Sequence, residues 1–332
     1  MNRPSTMQAL QMRGIRELVK TELPVPSPQP DEVLIRTQAA TICTSDLHDL
    51  ATNPFNIILP RVLGHEAAGI VVACGSAVTQ FVPGNRVAAH PVVPCGYCEE
   101  CLRGFDHLCA NMGHLGYDRE GGFADYFVQR ADRVRALPPD VSFSLGALLE
   151  PVCVCLQAVA RAGDVRGRVV LVVGDGPFGN MIARLARRAG ASRVLVVGRE
   201  PFRLRHIPDA EIVEVPPARS VDVAILAVSS AEAVGVCLSA LRPRGRLVIF
   251  SAVLQPVPIN LFPLHLSELE IVGACNDENR LDEALRCLSD PELALHEVIT
   301  QEIRFEDWKK AFDLASHQHD RALKVALVFD PI

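Results

Sequence analysis

Four of the eleven cysteines are crowded into the pattern C-x2-C-x2-C-x7-C, which consists of Cys95, Cys98, Cys101 and Cys109. Four thiolates on one compact loop are the ligand set of a tetrahedral zinc ion, and glycines within the loop allow it to fold back on the ion. An iron–sulfur cluster also uses closely spaced cysteines, but nothing else in the chain suggests electron transfer. Four free or disulfide-paired cysteines are the other alternative. We predict a structural zinc ion that does no chemistry, because four thiolates leave no open position.

The glycine turn at 174–179, which reads Gly-Asp-Gly-Pro-Phe-Gly, is the second group with chemical meaning. It follows an apolar, β-branched run and precedes apolar residues at helical spacing. In that setting the first glycine permits the turn, the second lets the backbone approach a pyrophosphate, and the third lets helix and strand pack closely. The alternative is a strand–helix turn whose glycines serve only the backbone. We predict a dinucleotide site formed by Gly174, Gly176, Pro177, Phe178 and Gly179.

The end of the next predicted strand bears on the choice of cofactor. NAD-binding folds usually place Asp or Glu there, to hold the ribose 2′-hydroxyl. This chain has Gly198 at that position, followed by Arg199 and Glu200. Glycine leaves room for a 2′-phosphate, which Arg199 could bind with help from Arg203 or Arg205. Glu200 competes for the ribose but comes late in register, and Arg199 could instead stack on adenine or face solvent. The balance favours NADP over NAD.

Two upstream motifs complete the set, Cys43-x-Ser45-Asp46-x-His48 and Gly64-His65-Glu66. Together with the cysteine lobe and the dinucleotide turn, they make the chain resemble the zinc-containing medium-chain alcohol dehydrogenases over nearly its whole length. Glu150-Pro151 is similar to the pair in the sorbitol and threonine dehydrogenase branch, where liver-type enzymes have a cysteine ligand. The resemblance implies a GroES-like catalytic domain, a Rossmann domain, and hydride transfer between a secondary alcohol and NAD(P).

The same resemblance implies a second, catalytic zinc ion held by Cys43 and His65. Glu66 and Glu150 match the carboxylates that complete the site in the polyol branch, directly or through water. Cys153 could face the same side of a helix as Glu150, but the Glu-Pro match favours Glu150. Oxidation of a carbinol requires loss of its hydroxyl proton, and a Lewis-acidic zinc ion with an exchangeable position makes that loss possible near neutral pH.

Polar residues near these ligands also match members of the family. Ser45 matches the hydroxyl that relays the substrate proton, and His48 matches the next member of the relay toward solvent. Asp46 could orient the ligand histidine. Asp49 departs from the branch, because sorbitol dehydrogenases often carry an aromatic residue there. Sorbitol itself is therefore a weaker expectation than the wider class of polyols, sugars, cyclitols and amino alcohols such as threonine.

Two other functions are compatible with this fold. A zinc-free quinone or enoyl reductase would lack Cys43, His65 and the cysteine lobe. A zinc-binding or redox-sensing protein without turnover would have no need of Ser45 together with Glu150. The combined set favours a zinc-dependent dehydrogenase over both.

The elements that must position these residues follow from the apolar patterns. Alternating residues near 32–37, 70–73, 86–89 and 121–128 predict a β-rich first part, followed by a helix at 144–162. Strands at 169–173, 193–197, 211–215, 222–226, 246–250 and 270–273 then alternate with helices near 178–189, 201–206 and 231–241. This alternation predicts a doubly wound parallel sheet, and if its strand order is 3-2-1-4-5-6, the short connection at 216–220 can still span the distance between its strands. Helices at 282–288 and 305–316 and a closing strand at 323–329 complete the chain.

We therefore expect an α/β protein of two domains. The GroES-like domain would comprise 1–152 and 276–332, with the zinc lobe at 91–112, and the Rossmann domain 153–275. A length of 332 residues allows two cores. The net charge of −6 and the lack of a basic run argue against nucleic acid as a partner.

The remaining expectations concern surroundings and assembly. No apolar run has the length of a membrane span and no signal-peptide core follows the N-terminus, so we expect a cytoplasmic protein with a small-molecule alcohol or carbonyl substrate. The branch resemblance suggests a homodimer or homotetramer. His317 and His319 are expected to be solvated.

Overall fold

The computed structural model describes residues 4–317 and 321–329. The first part of the chain is built mainly from short strands. These strands are β1 (Thr6–Gly14), β2 (Glu17–Pro24), β3 (Glu32–Thr41), β4 (Arg61–Val62), β5 (Ala67–Cys74), β6 (Arg86–Ala89), β7 (Val92–Val93), β8 (Gly113–His114), β9 (Tyr126–Arg130) and β10 (Val134–Ala136). The α-helices of this part are α1 (Thr44–Thr52), α2 (Glu99–Leu102), α3 (Phe143–Gly146) and α4 (Leu149–Arg161), with 3-10 turns at Asp106–Leu108 and Ala131–Arg133.

The middle of the chain alternates strands and helices, as predicted. It contains β11 (Val169–Val173), α5 (Pro177–Arg188), β12 (Arg193–Val197), α6 (Pro201–Leu204), β13 (Glu211–Ile212), β14 (Val221–Leu226), α7 (Ala231–Ala240), β15 (Leu241–Ile249), α8 (Leu261–Ser267) and β16 (Glu270–Gly273). Its strands form a six-stranded sheet of order β13-β12-β11-β14-β15-β16, and each neighbouring pair is parallel. The predicted doubly wound parallel sheet is confirmed, and its strand order is 3-2-1-4-5-6.

The end of the chain returns to the first sheet. It contains α9 (Leu281–Leu288), β17 (Ile299–Arg304), α10 (Trp308–His317) and β18 (Lys324–Val328), with 3-10 turns at Pro291–Leu293, Leu295–Val298 and Phe305–Asp307. β17 and β18 join a seven-stranded sheet of order β10-β6-β5-β3-β18-β17, in which β9 also pairs with β3. The closing strand β18 therefore pairs with β3, a strand near the other end of the chain.

Helix α4 lies between the two sheets and is buried along most of its length. One core cluster joins its residues to Ala68 and Ala88 of the first sheet and to Val170 and Ile182 of the dinucleotide-fold region. This burial explains the run of apolar residues on all sides of the helix.

Among the predicted elements that differ in extent from the observed ones, three differ for a clear physical reason. The helix expected at 144–162 is divided into α3 and α4, because Pro151 lacks an N–H and is accommodated only in the first turn of a new helix. The strand expected at 211–215 is only Glu211–Ile212, because Pro216 and Pro217 follow at the sheet edge and Val215 is 81% exposed. The strand expected at 121–128 begins at Tyr126, since Gly121 and Gly122 bond to a crossing segment instead.

Two smaller points complete the description. Within 4–317 and 321–329, no helix combines the length and apolarity that crossing a bilayer would require. His317 is 76% exposed, as expected for a solvated histidine, and His319 lies outside the described residues.

Candidate active site

Cys43 occupies the N-cap of α1, where the local sequence fixes both its backbone and its sulfur. The Cys43 N–H donates to Asp46 Oδ2 over 2.9 Å, and the Cys43 side chain accepts from the backbone of Asp46 in a capping box. The thiol is almost fully buried. Burial and the Glu66 carboxylate raise the pKa of Cys43, although Lys324 and His65 oppose the shift. A thiolate at this position therefore requires a cation as its partner.

His65 and Glu66 follow β4 and meet Cys43 at the start of α1. The sulfur of Cys43, a ring nitrogen of His65 and a carboxylate oxygen of Glu66 lie within 4.8 Å of one another. His65 Nδ1 lies 3.3 Å from Asp46 Oδ1 but makes no hydrogen bond there. Burial lowers the pKa of His65, but Asp46 and Cys43 outweigh it and hold the pKa well above the usual value. These three donors, all buried, form the cluster that we call the Cys43 cluster.

Glu66 has partners that its sequence motif does not reveal. Its carboxylate accepts a short hydrogen bond from the Thr41 hydroxyl and lies 2.7 Å from Lys324 Nζ, and both charged groups are buried. Lys324 Nζ also lies 5.6 Å from the ring centroid of Phe178, in the dinucleotide turn. One lysine thus contacts both the Cys43 cluster and the helix that follows the glycines.

Glu150 and Cys153, the two competing ligands on α4, are placed differently. Glu150 is buried with its Oε2 unbonded, and it is not a member of the Cys43 cluster. Burial raises the pKa of Glu150 to about 8. Cys153 belongs to a separate buried group with His90 and Asp277. The structure therefore separates Cys153 from Cys43 and leaves Glu150 with an unsatisfied buried oxygen that a cation would complete.

The proton-relay candidates both lie on α1. Ser45 Oγ is 3.4 Å from His65 Nε2, so the hydroxyl borders the Cys43 cluster. His48, three residues later on the same helix face, is exposed to solvent. The order of burial, with Ser45 half-buried and His48 exposed, leads from the cluster to water.

Three further residues surround His65 and were not singled out as site residues. The His65 ring centroid lies 5.5 Å from that of His114 and 6.1 Å from that of Tyr117. Burial raises the pKa of Asp49 to about 6, although Tyr117 lowers it, and Asp49 Oδ1 is buried without a hydrogen bond. Asp49 had been noted in the sequence because sorbitol dehydrogenases often carry an aromatic residue at this position. His114, at the end of β8, and Tyr117, in the turn that follows, belong to no motif that the sequence analysis recognised.

The cysteine lobe has the geometry that a metal ion requires. The sulfurs of Cys95, Cys98, Cys101 and Cys109 all lie within 4.8 Å of one another. The sulfur of Cys98 is 3.5 Å from that of Cys101 and 3.8 Å from that of Cys109. These separations are too long for disulfides, whereas a tetrahedral ion with zinc–sulfur bonds of about 2.3 Å places sulfurs about 3.8 Å apart. The four side chains fit a structural zinc ion.

The dinucleotide turn has an open approach for phosphate. Gly174 has a φ of +133°, and a Cβ on Gly179 would lie 2.0 Å from the Gly174 carbonyl oxygen. Gly176 is the N-cap of α5 and Pro177 begins the helix, with no side chain bonded to the cap. A Cβ on Gly176 would meet nothing within 4 Å. The free N–H groups and the empty space suit a pyrophosphate.

The side chains near the end of β12 are only partly available to a cofactor. Arg199 is exposed, whereas Arg203 Nε donates to the Ala322 carbonyl over 3.2 Å and Arg205 lies over the Phe202 ring. Glu200 caps α6 by accepting from the Phe202 N–H. Of the three predicted arginines, Arg199 alone is without such a partner among the described residues.

Comparisons with known proteins show the family to which the chain belongs. Residues 29–139 match the family model of the alcohol dehydrogenase GroES-like domain, and residues 177–290 match that of the zinc-binding dehydrogenase. Sorbitol dehydrogenase of Bacillus subtilis (strain 168) is 33% identical, with 97% of each chain covered.

Two solved structures share the fold and contain nicotinamide cofactors. A zinc-binding dehydrogenase of Sinorhizobium meliloti 1021 bound to NADP has a TM-score of 0.90 and 27% identity, covering 98% of this chain and 100% of the other. A short chain alcohol dehydrogenase of Escherichia coli CFT073 with NADH has a TM-score of 0.91 and 25% identity, again with coverage of 98% and 100%. The chain belongs to the zinc-containing medium-chain alcohol dehydrogenase family, within its polyol dehydrogenase branch, and is an oxidoreductase.

Proposed function

We propose that this chain oxidises a secondary alcohol of the polyol, sugar, cyclitol or amino alcohol class, or reduces the corresponding ketone, with a nicotinamide cofactor and two zinc ions. One observation carries the proposal. Lys324 contacts Glu66 of the Cys43 cluster and lies over Phe178 of the dinucleotide turn, so the metal donors and the nucleotide cradle are neighbours. Hydride transfer needs that proximity.

The proposed metal sites use the donors described above. Cys43 and His65 hold the catalytic ion, and Cys95, Cys98, Cys101 and Cys109 hold the structural ion. Of the two carboxylates, Glu66 has its oxygens engaged by Thr41 and Lys324, whereas Glu150 retains an unbonded oxygen. We therefore favour Glu150 as the carboxylate ligand of the catalytic ion. Glu66 would then remain paired with Lys324 and would not bind the ion directly.

The proposed mechanism assigns each step in this chain to a named group. When bound, the zinc ion supplies a Lewis acid for the carbinol oxygen and the nicotinamide accepts the hydride. Ser45 takes the hydroxyl proton of the substrate while passing its own proton toward His48, which releases it to solvent. Asp46, whose Oδ1 lies 3.3 Å from His65 Nδ1, orients the ring of the ligand histidine.

The choice of cofactor depends on what occupies the end of β12. The expectation of NADP assumed that Gly198 leaves this position without an acid and that Arg199 faces the 2′-phosphate. Arg199 is exposed and available for that contact. However, the carboxylate of Asp175 lies beside Gly198, so an acid is present at the end of β12.

We further propose that the chain assembles as a homodimer or homotetramer. β16 is the outer strand of the six-stranded sheet, and the segment leading to it exposes Leu261, Phe262 and Leu266 by 66–69%. An unpaired edge beside exposed apolar side chains favours pairing with a second copy. The thiolates that both zinc sites require favour a reducing compartment such as the cytoplasm.

A substrate screen tests the proposed function. Purified protein with its zinc is incubated with polyols, aldoses, cyclitols and threonine, with NAD or NADP, while nicotinamide absorbance is followed. We expect turnover with at least one secondary alcohol and none with primary alkyl alcohols of the same length. Absence of turnover with every alcohol, in protein that holds zinc and binds the nucleotide, would instead favour the zinc-binding protein without catalysis.

A further inference from the structure

Asp175, in the middle of the glycine turn, directs its side chain to the end of the neighbouring strand. Its Oδ2 accepts the backbone N–H of Arg199 over 2.5 Å and that of Glu200 over 2.7 Å. The parallel register places Val173 beside Val197, so the residues that follow β11 and β12 meet at one edge of the sheet. The Asp175 carboxylate is therefore fixed at the end of β12 although it belongs to the turn after β11.

Gly198 is the counterpart of this arrangement. A Cβ on Gly198 would lie 2.5 Å from Asp175 Cβ and 2.6 Å from Asp175 Oδ2, and 2.7 Å from a methyl carbon of Leu204. No side chain fits at 198 while Asp175 holds this position. The glycine at the usual acidic position thus makes room for an acid supplied by residue 175.

The oxygen atoms of Asp175 have different roles. Both backbone N–H groups bond to Oδ2, and no protein donor in the described ranges bonds to Oδ1. The side chain is only partly buried, so Oδ1 is accessible to a ligand. In dinucleotide-binding folds, a carboxylate at the end of the second strand accepts hydrogen bonds from the adenosine ribose. The position and the free oxygen of Asp175 meet that requirement.

We infer that Asp175 binds the adenosine ribose and makes NAD the preferred cofactor, in place of the NADP that the sequence favours. The inference rests on the proposed function as a nicotinamide-dependent dehydrogenase. A 2′-phosphate at this place would bring a second anion against a carboxylate that two backbone groups hold in position. Arg199 would favour NADP, because its guanidinium group could bind the 2′-phosphate. However, its side chain is exposed, and ordering it on the phosphate would cost conformational entropy.

Nucleotide affinity, measured by calorimetry on the zinc-loaded protein in the absence of substrate, tests the inference. We expect the wild type to bind NAD at least about tenfold more tightly than NADP. Asp175→Asn keeps an oxygen for the two backbone N–H groups but removes the charge. It should weaken NAD binding by about tenfold while NADP binding stays equal or improves.

A double variant controls for damage to the turn. Asp175→Gly combined with Gly198→Asp moves the carboxylate to the strand, removes the clash with Asp175 and leaves only the flexible end of Leu204 to shift. This variant should restore the preference for NAD. Circular dichroism and the melting temperature establish that each variant is folded. Tighter binding of NADP than NAD by the wild type, lost in Arg199→Ala, would overturn the inference and leave the proposed function intact. Binding of neither nucleotide would overturn both.

Discussion

At the scale of single residues, Lys324 links the last strand to the Cys43 cluster. It is a buried lysine in an otherwise apolar strand, and its partner Glu66 is also buried. The pair lies 258 residues apart along the chain, so it joins the last strand to the start of β5. A buried ion pair contributes little net stability as a whole, but the loss of one partner leaves an uncompensated charge in the interior.

Lys324→Met should therefore destabilise the protein by about 3–5 kcal/mol, seen as a lower urea midpoint in circular dichroism. Adding Glu66→Gln should recover part of the loss, because it removes the orphaned charge. Lys20→Met is a matched control, since the Lys20–Glu306 pair is at the surface and should matter by about 0–1 kcal/mol. An unchanged midpoint in Lys324→Met would show that Glu66 does not depend on this lysine.

His90 forms the second buried polar centre. Its Nε2 lies 2.6 Å from Asp277 Oδ2, while Nδ1 accepts from Arg133 over 3.1 Å and from the Val92 N–H over 3.3 Å. Two donors at Nδ1 place the ring proton on Nε2, which donates to Asp277. Both nitrogens are therefore already satisfied. These hydrogen bonds account for the position of His90 beside Asp277 in the group that also contains Cys153.

The state of His90 predicts a dependence of stability on pH. Burial lowers its pKa below the ordinary 6.5, although Asp277 opposes the shift. As the pH falls, His90 is therefore protonated in the unfolded chain before it is protonated in the folded protein. The stability that neutral His90 contributes is fully present above about pH 6.5 and is lost as the pH falls below that value. Between about pH 7.5 and about pH 5.5, the free energy of unfolding should fall less in His90→Gln than in the wild type. The difference should reach at most about 1.4 kcal/mol per pH unit. Equal slopes would contradict the account.

At the scale of elements, local sequence patterns were sufficient to predict the strands and helices of the dinucleotide-binding fold. β11, β12 and β16 have the predicted bounds. A buried run of β-branched residues between two turns is a local pattern, so it can be recognised from the sequence alone. Contacts that depend on which strands pair, and in which register, could not be predicted from local patterns. Asp175 meets Gly198 only because β11 and β12 pair in parallel, and Lys324 meets Glu66 only because β18 pairs with β3. The expectation of NADP left Asp175 out of account for this reason, and Lys324 was omitted from the site residues for the same one.

Two glycines of the turn should respond differently to the same substitution. Gly179→Ala places a Cβ 2.0 Å from a backbone oxygen and should destabilise the fold by about 1–3 kcal/mol. Gly176→Ala meets no neighbour within 4 Å and has a φ of −70°, so it should fold normally. Its methyl group would occupy the phosphate approach and should weaken nucleotide binding by about tenfold. Urea unfolding and calorimetry separate the two effects. The account fails if Gly176→Ala binds nucleotide as tightly as the wild type.

At the scale of the whole molecule, α4 connects the two sheets and also carries Glu150. We propose domains of 1–152 with 276–332 and of 153–275, so the first boundary falls within α4, which begins at Leu149. A helix buried against both parts ties the position of Glu150 to the contact between them. The class of architecture was predictable from the alternation of elements. The contribution of α4 to both cores was not, because a run of apolar residues does not identify its neighbours.

Assembly through the β16 edge is testable at this scale. Leu266→Asp combined with Ile271→Lys places charge on the proposed contact and should convert the dimer or tetramer to a smaller species in light scattering. Val215→Asp is the matched control, because Val215 is 81% exposed near the opposite edge of the same sheet. A change of mass in the control alone would place the contact at the β13 edge instead.

The central claim is that Cys43 holds a catalytic zinc ion distinct from the structural one. Zinc content by native mass spectrometry, measured together with dehydrogenase activity in Cys43→Ala, tests it most directly. Cys74→Ala is the control, because Cys74 belongs to neither zinc cluster and its sulfur contacts only the Phe81 carbonyl among the bonds described. We predict two zinc ions in the wild type and in the control, one in Cys43→Ala, and a loss of turnover on the order of a thousandfold in that variant. A Cys43→Ala protein that keeps both ions and full activity would contradict the account.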